Sequence, residues 1–219
     1  MTMQKHDYSG SKQGGGGDGR SRRTPGQKRT QQGLTQCSQA WNDLVTEEQR
    51  TAWRRLAETL PRRARKGRLY RLRGHQVFRA INMVLTMLGR EPRTCPPPEP
   101  KFGVNPRITL QIKITSKGPA LKLRLSGTPT TDIMVFASPP YKAGRTYCGD
   151  YRFIGLLSAP VKGWIEITRL YTKKFGKPPP NSRVFIRTWP VVDGWEDRGQ
   201  MHLTNALVPI PGAGAGGWR

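Results

Sequence analysis

Acidic side chains are scarce in this 219-residue chain: 14 Asp and Glu stand against 38 Lys and Arg, a formal net charge of +24. Such an excess bears on partners and solubility, not on fold, and a nucleic acid, an anionic membrane surface or an acidic protein could each neutralise it. Long apolar runs are missing too. None approaches the roughly 18 residues a bilayer-spanning helix needs, so no membrane insertion is expected. The start, Met1-Thr2-Met3-Gln4-Lys5, has no apolar stretch behind it, and no secretory signal is expected. There are only three cysteines, Cys37, Cys95 and Cys148, far apart and without a CxxC pair. That argues against a disulfide framework and for reduced thiols in a cytoplasmic, or virion-associated, protein.

Catalytic signatures are equally sparse. His6, His75 and His202 are scattered and lack the spacing of a metal site. No G-x-S-x-G, H-E-x-x-H or G-x-x-x-x-G-K-[ST] occurs. Glu47 and Glu48 are adjacent where a helix start explains them, and Asp193, Glu196 and Asp197 flank Gly194 in a turn. Cys148, in Tyr-Cys-Gly-Asp, could be a reactive thiol, but a small hydrophobe or a free surface thiol is the favoured reading. The expectation is a non-enzymatic protein with no catalytic residue, no metal and no cofactor.

The arrangement that is present changes character along the chain. Residues 1–33 hold Gly, Ser, Gln, Lys and Arg with almost no aliphatic side chain, and read as a disordered basic arm. Residues 34–91 read as a small helical domain. Leu34, Cys37, Trp41 and Leu44 recur at helical spacing. Thr46 to Gln49 reads as a capping box opening a second helix with Trp53, Leu56, Ala57 and Leu60 inward, ended by Pro61. A third helix from Gly74 to Leu88 buries Val77, Phe78, Ile81, Leu85 and Leu88, with Gly89 as its C′ residue. Residues 92–105 form a proline-rich linker.

From there the period becomes two. Ile108, Leu110, Ile112 and Ile114 alternate with polar residues, as do Leu121, Leu123 and Leu125. Further strands are expected at 133–137, 151–157, 164–167, 184–188 and 201–208, with a helical turn at 168–175. About seven short strands over residues 106–210 point to an antiparallel sandwich of immunoglobulin or fibronectin type, with Trp164 and Trp189 in its core and Trp195 on a loop as a candidate interface anchor. Residues 211–219 read as a flexible tail. The fold class is therefore segregated α+β: basic arm, three-helix segment, β-sandwich-like domain.

One positive signal for function stands out. Seven of the twelve residues 62–73 are basic and none is acidic. Arg62, Arg63, Arg65, Lys66, Arg68, Arg71 and Arg73 form this segment. Arg20, Arg22, Arg23, Lys28 and Arg29 of the arm and Arg54 and Arg55 of the second helix add the same sign. Arginine suits bidentate phosphate contacts, and the expectation is sequence-independent nucleic-acid binding through these side chains. Tyr70 could stack on an unpaired base. The bland reading is a solvated loop with Leu69, Tyr70 and Leu72 packed inward. A second class of function, an assembly or adaptor protein whose sandwich docks to a larger complex, fits the same composition.

Two ordered motifs carry a resemblance. The first runs Trp41-x-x-Leu44, Glu48-Gln49-Arg50-Thr51-Ala52-Trp53, Gly74-x-x-x-Phe78-x-x-x-Asn82 and then Pro-Pro. The second runs Phe136-Ala137-Ser138-Pro139-Pro140, Ala143-Gly144-Arg145, Tyr151-Arg152, Tyr171-x-x-x-Phe175-Gly176 and Val184-Phe185-Ile186-Arg187. Together they resemble, over about residues 25–208, a bacterial family of uncharacterised activity found in prophage-like and mobile-element settings. The resemblance implies a structural or phage-associated role and transfers no catalytic residue.

Overall fold

A proline opens the first helix. The computed structural model describes residues 25–61, 63–65 and 68–211, and α1 (Pro25–Asp43) begins within the stretch expected to be an arm. The correction has a local cause. Proline presets φ for the first helical turn and needs no N–H partner there, and Gln, Lys, Arg and Thr tolerate a helix without an apolar stripe. The inward face keeps Cys37 and Trp41 of the four expected residues but not Leu34 and Leu44. Gly33, Cys37 and Val45 are buried, with Ala40 and Trp41 packed beside them, whereas Leu34 and Leu44 are exposed. A Cβ on Gly33 would stand 3.1 Å from Met83 Sδ, so the bare glycine is what lets α1 approach the third helix. The earlier part of the arm and the tail after residue 211 lie outside the described residues.

α2 (Glu47–Thr59) starts with the expected capping box: Gln49 N–H donates to Thr46 Oγ1 at 3.3 Å and Thr46 N–H to Gln49 Oε1 at 2.9 Å. α3 (Gly74–Met87) ends as its sequence implies, with Gly89 at φ +70 and Arg90 N–H donating to the Leu85 carbonyl at 2.9 Å. Trp53, Val77, Phe78, Ile81 and Leu85 form the helical core, with Trp41 and Trp53 edge-on to Phe78 at 5.2 and 5.4 Å. Two short strands, β1 (Arg63–Arg65) and β2 (Arg68–Tyr70), pair as a hairpin between α2 and α3. Residues 92–105 hold neither helix nor strand but are strapped to the helices. Trp53 Nε1 donates to the Thr94 carbonyl at 2.7 Å, and buried Asn82 exchanges two hydrogen bonds with the backbone of Arg93.

The β part uses the alternation expected of it. β3 (Ile108–Thr115), β4 (Gly118–Leu125) and β8 (Trp164–Glu166) make a three-stranded antiparallel sheet in that order. In the second sheet β9 (Ser182–Val192) is central. β5 (Asp132–Ala137) and then β7 (Arg152–Leu157) lie on one side of it, and β11 (His202–Leu207) on the other. Short β6 (Tyr141–Lys142) and β10 (Trp195–Glu196) also pair with β9. Inward rows of both sheets meet in one cluster: Leu110, Leu121 and Leu123 from the first, Ile133, Val135, Val184 and Ile186 from the second. α4 (Thr168–Phe175), at the expected helical turn, adds Tyr171. Each such aliphatic side chain contributes roughly 1.5–3 kcal/mol by leaving water. Neither tryptophan lies in the sandwich core as expected: Trp189 is buried on the outer face of the second sheet, and Trp164 is 44% exposed. On three-residue β8 the inward position is Ile165, so both its neighbours must point out.

α3 joins the two parts. Its Val84 and Leu88 pack on Met134, Phe136, Trp189 and Val191, the outer face of the second sheet. The turn between β9 and β10 reaches the helices from the other direction. Gly194, at φ +85, lies so close that a Cβ would stand 2.6 Å from Ile81 Cγ2, and Trp195 packs on the helical core of its own chain. Ion pairs Arg90–Asp132 at 2.7 Å and Arg93–Asp193 at 2.9 Å flank this contact. The architecture is α+β.

Candidate nucleic-acid interface

The segment of highest charge density stands off the helical core. In the β1–β2 hairpin Arg63 faces Tyr70 and Ala64 faces Leu69 across the pair. Leu69 is 66% exposed and Tyr70 38% exposed, so these two do not pack inward. Only Leu72, after the hairpin, reaches the helical core. A hairpin of three-residue strands has no second layer to bury against, which leaves Leu69 and Tyr70 to solvent.

At the base of the hairpin the chain builds a cleft of about 430 Å³. Trp41, Ala57 and Leu72 give it apolar walls, Arg54, Arg71 and Arg73 line it, and Gly74 and His75 bring the first turn of α3 to it. The positions follow from the local fold. Arg71 donates from Nη1 to the Glu58 carbonyl near the end of α2 at 3.3 Å. Arg73 N–H donates to Gln76 Oε1 at 2.8 Å, which fixes the start of α3. A Cβ on Gly74 would lie 2.9 Å from the Arg54 backbone nitrogen, so α3 begins in contact with α2.

The electrostatics of the cleft are one-sided. Among the described residues Glu58 is the only acid lining it. Arg54 pairs with Glu47 at 2.6 Å, but both side chains are more than half exposed, and solvent screens such a pair. Hydrogen bonding from Arg54, foremost, holds the Glu47 carboxyl below its ordinary pKa. Burial, then the neighbouring Arg79 and Arg73 cations, hold His75 below the usual imidazole value, so it stands neutral beside Trp41. The opening N–H groups of α3 add the positive end of the helix dipole. Three guanidinium groups and a helix start around apolar walls can bind a phosphate and shelter the group attached to it.

Of the fourteen basic residues expected to bind, the structure brings Arg54, Arg71 and Arg73 together. Arg63, Arg65 and Arg68 belong to the hairpin, Arg29 to α1 and Arg55 to the exposed surface of α2. Lys28 lies on a different surface, the Gln-rich face of α1 with Gln32, Gln36 and Gln39. Arg20, Arg22, Arg23, Arg62 and Lys66 lie outside the described residues. Trp41 and His75 line the cleft, although the sequence pattern reads Trp41 as part of an apolar helical stripe and His75 as a scattered histidine. The one signal for them is that both sit where successive helices must meet. Arg50, by contrast, is structural: its Nη2 donates to the carbonyls of Trp41 and Asn42 at 3.1 and 2.9 Å and holds the α1–α2 corner.

Elsewhere the chemistry is quiet. Cys37 and Cys148 are buried and Cys95 exposed, all three as free thiols. His202 Nε2 lies 2.9 Å from the Asn105 carbonyl. Among the described residues no group of three or more His, Cys, Asp or Glu is placed to hold a metal ion, and no helix is long and apolar enough to cross a membrane. Set against models of protein families, curated proteins and solved structures, the chain matches none of them.

Proposed function

We propose that this is a non-enzymatic nucleic-acid-associated structural protein that grips phosphates without reading sequence. The observation that carries this reading is the meeting of Arg54, Arg71 and Arg73 at the start of α3, beneath a hairpin of the same sign. Phosphate contacts of this kind position a strand and carry no base information. Exposed Tyr70 offers a ring for an unpaired base. The β part serves as a sandwich of immunoglobulin or fibronectin type that docks the protein in a larger assembly, in a phage- or virion-related setting. Its first, second and fifth main strands share one sheet, and its fourth, third, sixth and seventh lie in that order in the other, a layout that supports this type.

The test is the salt dependence of duplex binding. With about five phosphates neutralised, log affinity should fall against log salt with a slope of about −4 to −5. Binding unchanged between low and moderate salt would overturn the reading. A second reading, an assembly protein, draws on Leu203 and Leu207, exposed on one face of β11. Light scattering after nuclease treatment separates the two. A defined oligomer that survives favours assembly, and a complex that dissolves favours nucleic acid.

A further inference from the structure

The outer face of the first sheet is open. Leu110 and Ile112 of β3, Leu121 and Leu123 of β4 and Ile165 of β8 point into the sandwich core. Their neighbours along each strand therefore point outward. Register sets Thr109, Arg124 and Trp164 in one row across the three strands and Gln111, Lys122 and Glu166 in the next, with Lys113 opposite Ala120 beyond them. None of these side chains is buried. Exposed Arg107, one step before β3, continues the ladder, its carbonyl accepting from Ser126 N–H at 3.0 Å.

Trp164 is 44% exposed on this face, whereas Trp53 and Trp189 are buried. Its place is set by the backbone: it is the ladder partner of Arg124, and Leu125 N–H donates to the Gly163 carbonyl at 3.4 Å. The ring thus stands on a rigid sheet and gives up little freedom when a flat ligand stacks on it. The Arg124 guanidinium carbon lies 6.0 Å from the ring centre, the outer limit of a cation–π contact. That is near enough to serve the phosphate of a stacked nucleotide and too far to cap the ring. Arg107, Lys113, Lys122 and Arg124 bring positive charge to the face, and Glu166 is its one carboxylate among the described residues. Lys122 and Arg124 lie about 7 Å apart along β4, a step that suits successive phosphates of an extended strand.

We propose that this face binds single-stranded nucleic acid, with an unpaired base stacked on Trp164 and the flanking phosphates on Arg124, Lys122 and Lys113. Charge complementarity and the flatness of the face choose this occupant. A closed duplex presents no unpaired base to the ring. A second copy of this chain would set cations against cations. A protein partner would need a contiguous apolar centre, and Trp164 is the one large apolar side chain in these rows. An anionic bilayer meets the charges but finds a lone ring without the apolar neighbours that hold a face in lipid. The inference goes beyond the arginine cleft, which belongs to the helical part and takes no share in it, and gives the β part a ligand of its own.

The experiment is fluorescence anisotropy of the full chain with a labelled oligothymidylate of about ten residues and a labelled duplex of about ten base pairs, repeated in a chain carrying Arg54→Gln, Arg71→Gln and Arg73→Gln, which silences the cleft. Trp164→Ala should weaken oligothymidylate binding at least about fivefold in both chains and leave duplex affinity within about twofold. Trp164→Phe keeps a ring and should cost less than about threefold, which separates stacking from any disturbance of the fold. Lys122→Gln with Arg124→Gln should flatten the single-strand salt slope by about 1.4. Oligothymidylate affinity unmoved by Trp164→Ala overturns the inference, and salt-dependent duplex binding would then leave the cleft reading standing. An equal loss for both probes overturns it too, because the face would not tell single strand from double. So does binding to vesicles of phosphatidylserine and phosphatidylcholine that falls with Trp164→Ala while oligothymidylate binding holds. Oligothymidylate binding that needs Trp164 while the duplex binds at no salt concentration upholds the inference and removes the cleft reading.

Discussion

The helical and β parts carry the same charge and use it in opposite ways. Residues 1–100 hold 20 basic and 8 acidic side chains, and residues 101–219 hold 18 and 6. Yet all seven arginine–aromatic contacts among the described residues fall in the β part, on Trp164, Tyr141, Phe175, Phe136, Tyr151 and Trp189. In the helical part the aromatic rings pack on one another, Trp41 and Trp53 on Phe78, and Arg54, Arg55, Arg71, Arg73 and Arg79 are exposed. Net charge thus says little about availability. A guanidinium stacked on a ring gains about 0.5–2 kcal/mol and is held in place, which favours a matched partner. A solvated one stays mobile and favours any polyanion.

The contact between the parts is the first place to break this comparison. Gly194→Val would add bulk against Ile81 and force a β-branched residue to positive φ. A loss of about 3–5 kcal/mol is expected from overpacking and backbone strain together, read as a lower denaturant midpoint. An unchanged midpoint would mean that the two parts are not energetically coupled through this turn. Next in size is the triple Arg54→Gln, Arg71→Gln, Arg73→Gln. Duplex affinity should drop about two orders of magnitude near 0.1 M salt, with the salt slope shallower by about 2.7, whereas Arg124→Gln in the β part should change the slope by less than about 1. Equal effects would erase the distinction between solvated and stacked arginines.

A smaller effect probes the β core alone. The Tyr171 hydroxyl is buried without a partner, and burial raises its pKa well above the usual phenol range. Tyr171→Phe should stabilise the fold by about 1 kcal/mol in a denaturant melt. The smallest concerns the cleft. The folded pKa of His75 lies below its unfolded value, so the unfolded chain takes up a proton first as pH falls. Stability is full above the unfolded value of about 6.5 and declines as the pH drops below it, and His75→Gln should remove that part of the decline. Melts between pH 7.5 and 5.5 that are parallel for both proteins would contradict the assignment.

Much of the fold was legible because its determinants are local. Seven strand segments, the helical turn at 168–175, the Thr46 cap and the Gly89 terminus follow from periodicity and capping that need only near neighbours. Four features did not follow. α1 begins at Pro25 because a proline start and adequate helix formers suffice where no apolar stripe marks the turn. Gly33 faces inward in place of Leu34 because α3 demands closeness, and a hydrophobicity scale cannot show that. Trp164 points outward because strand parity outranks apolar size. Leu69 and Tyr70 stay exposed because their hairpin has nothing to pack against. The candidate site was half legible: each of Arg54, Arg71 and Arg73 was named from charge density, but as members of a diffuse list of fourteen.

By itself the sequence determined the charge, the arm-to-strand change in pattern, the alternating cores and the ends of most helices, since these depend on residues a few positions apart. Tertiary structure alone decided which charges meet and which stand alone. Arg93 reaches Asp193 across one hundred positions, and Arg54 and Arg73 share a cleft only because Gly74 lets α3 start against α2. Arg187 owes its unpaired state to Glu196 being held by Trp189 and Arg198. Those outcomes rest on contacts between elements that chain order does not place together, and packing settles them after every local preference has been met.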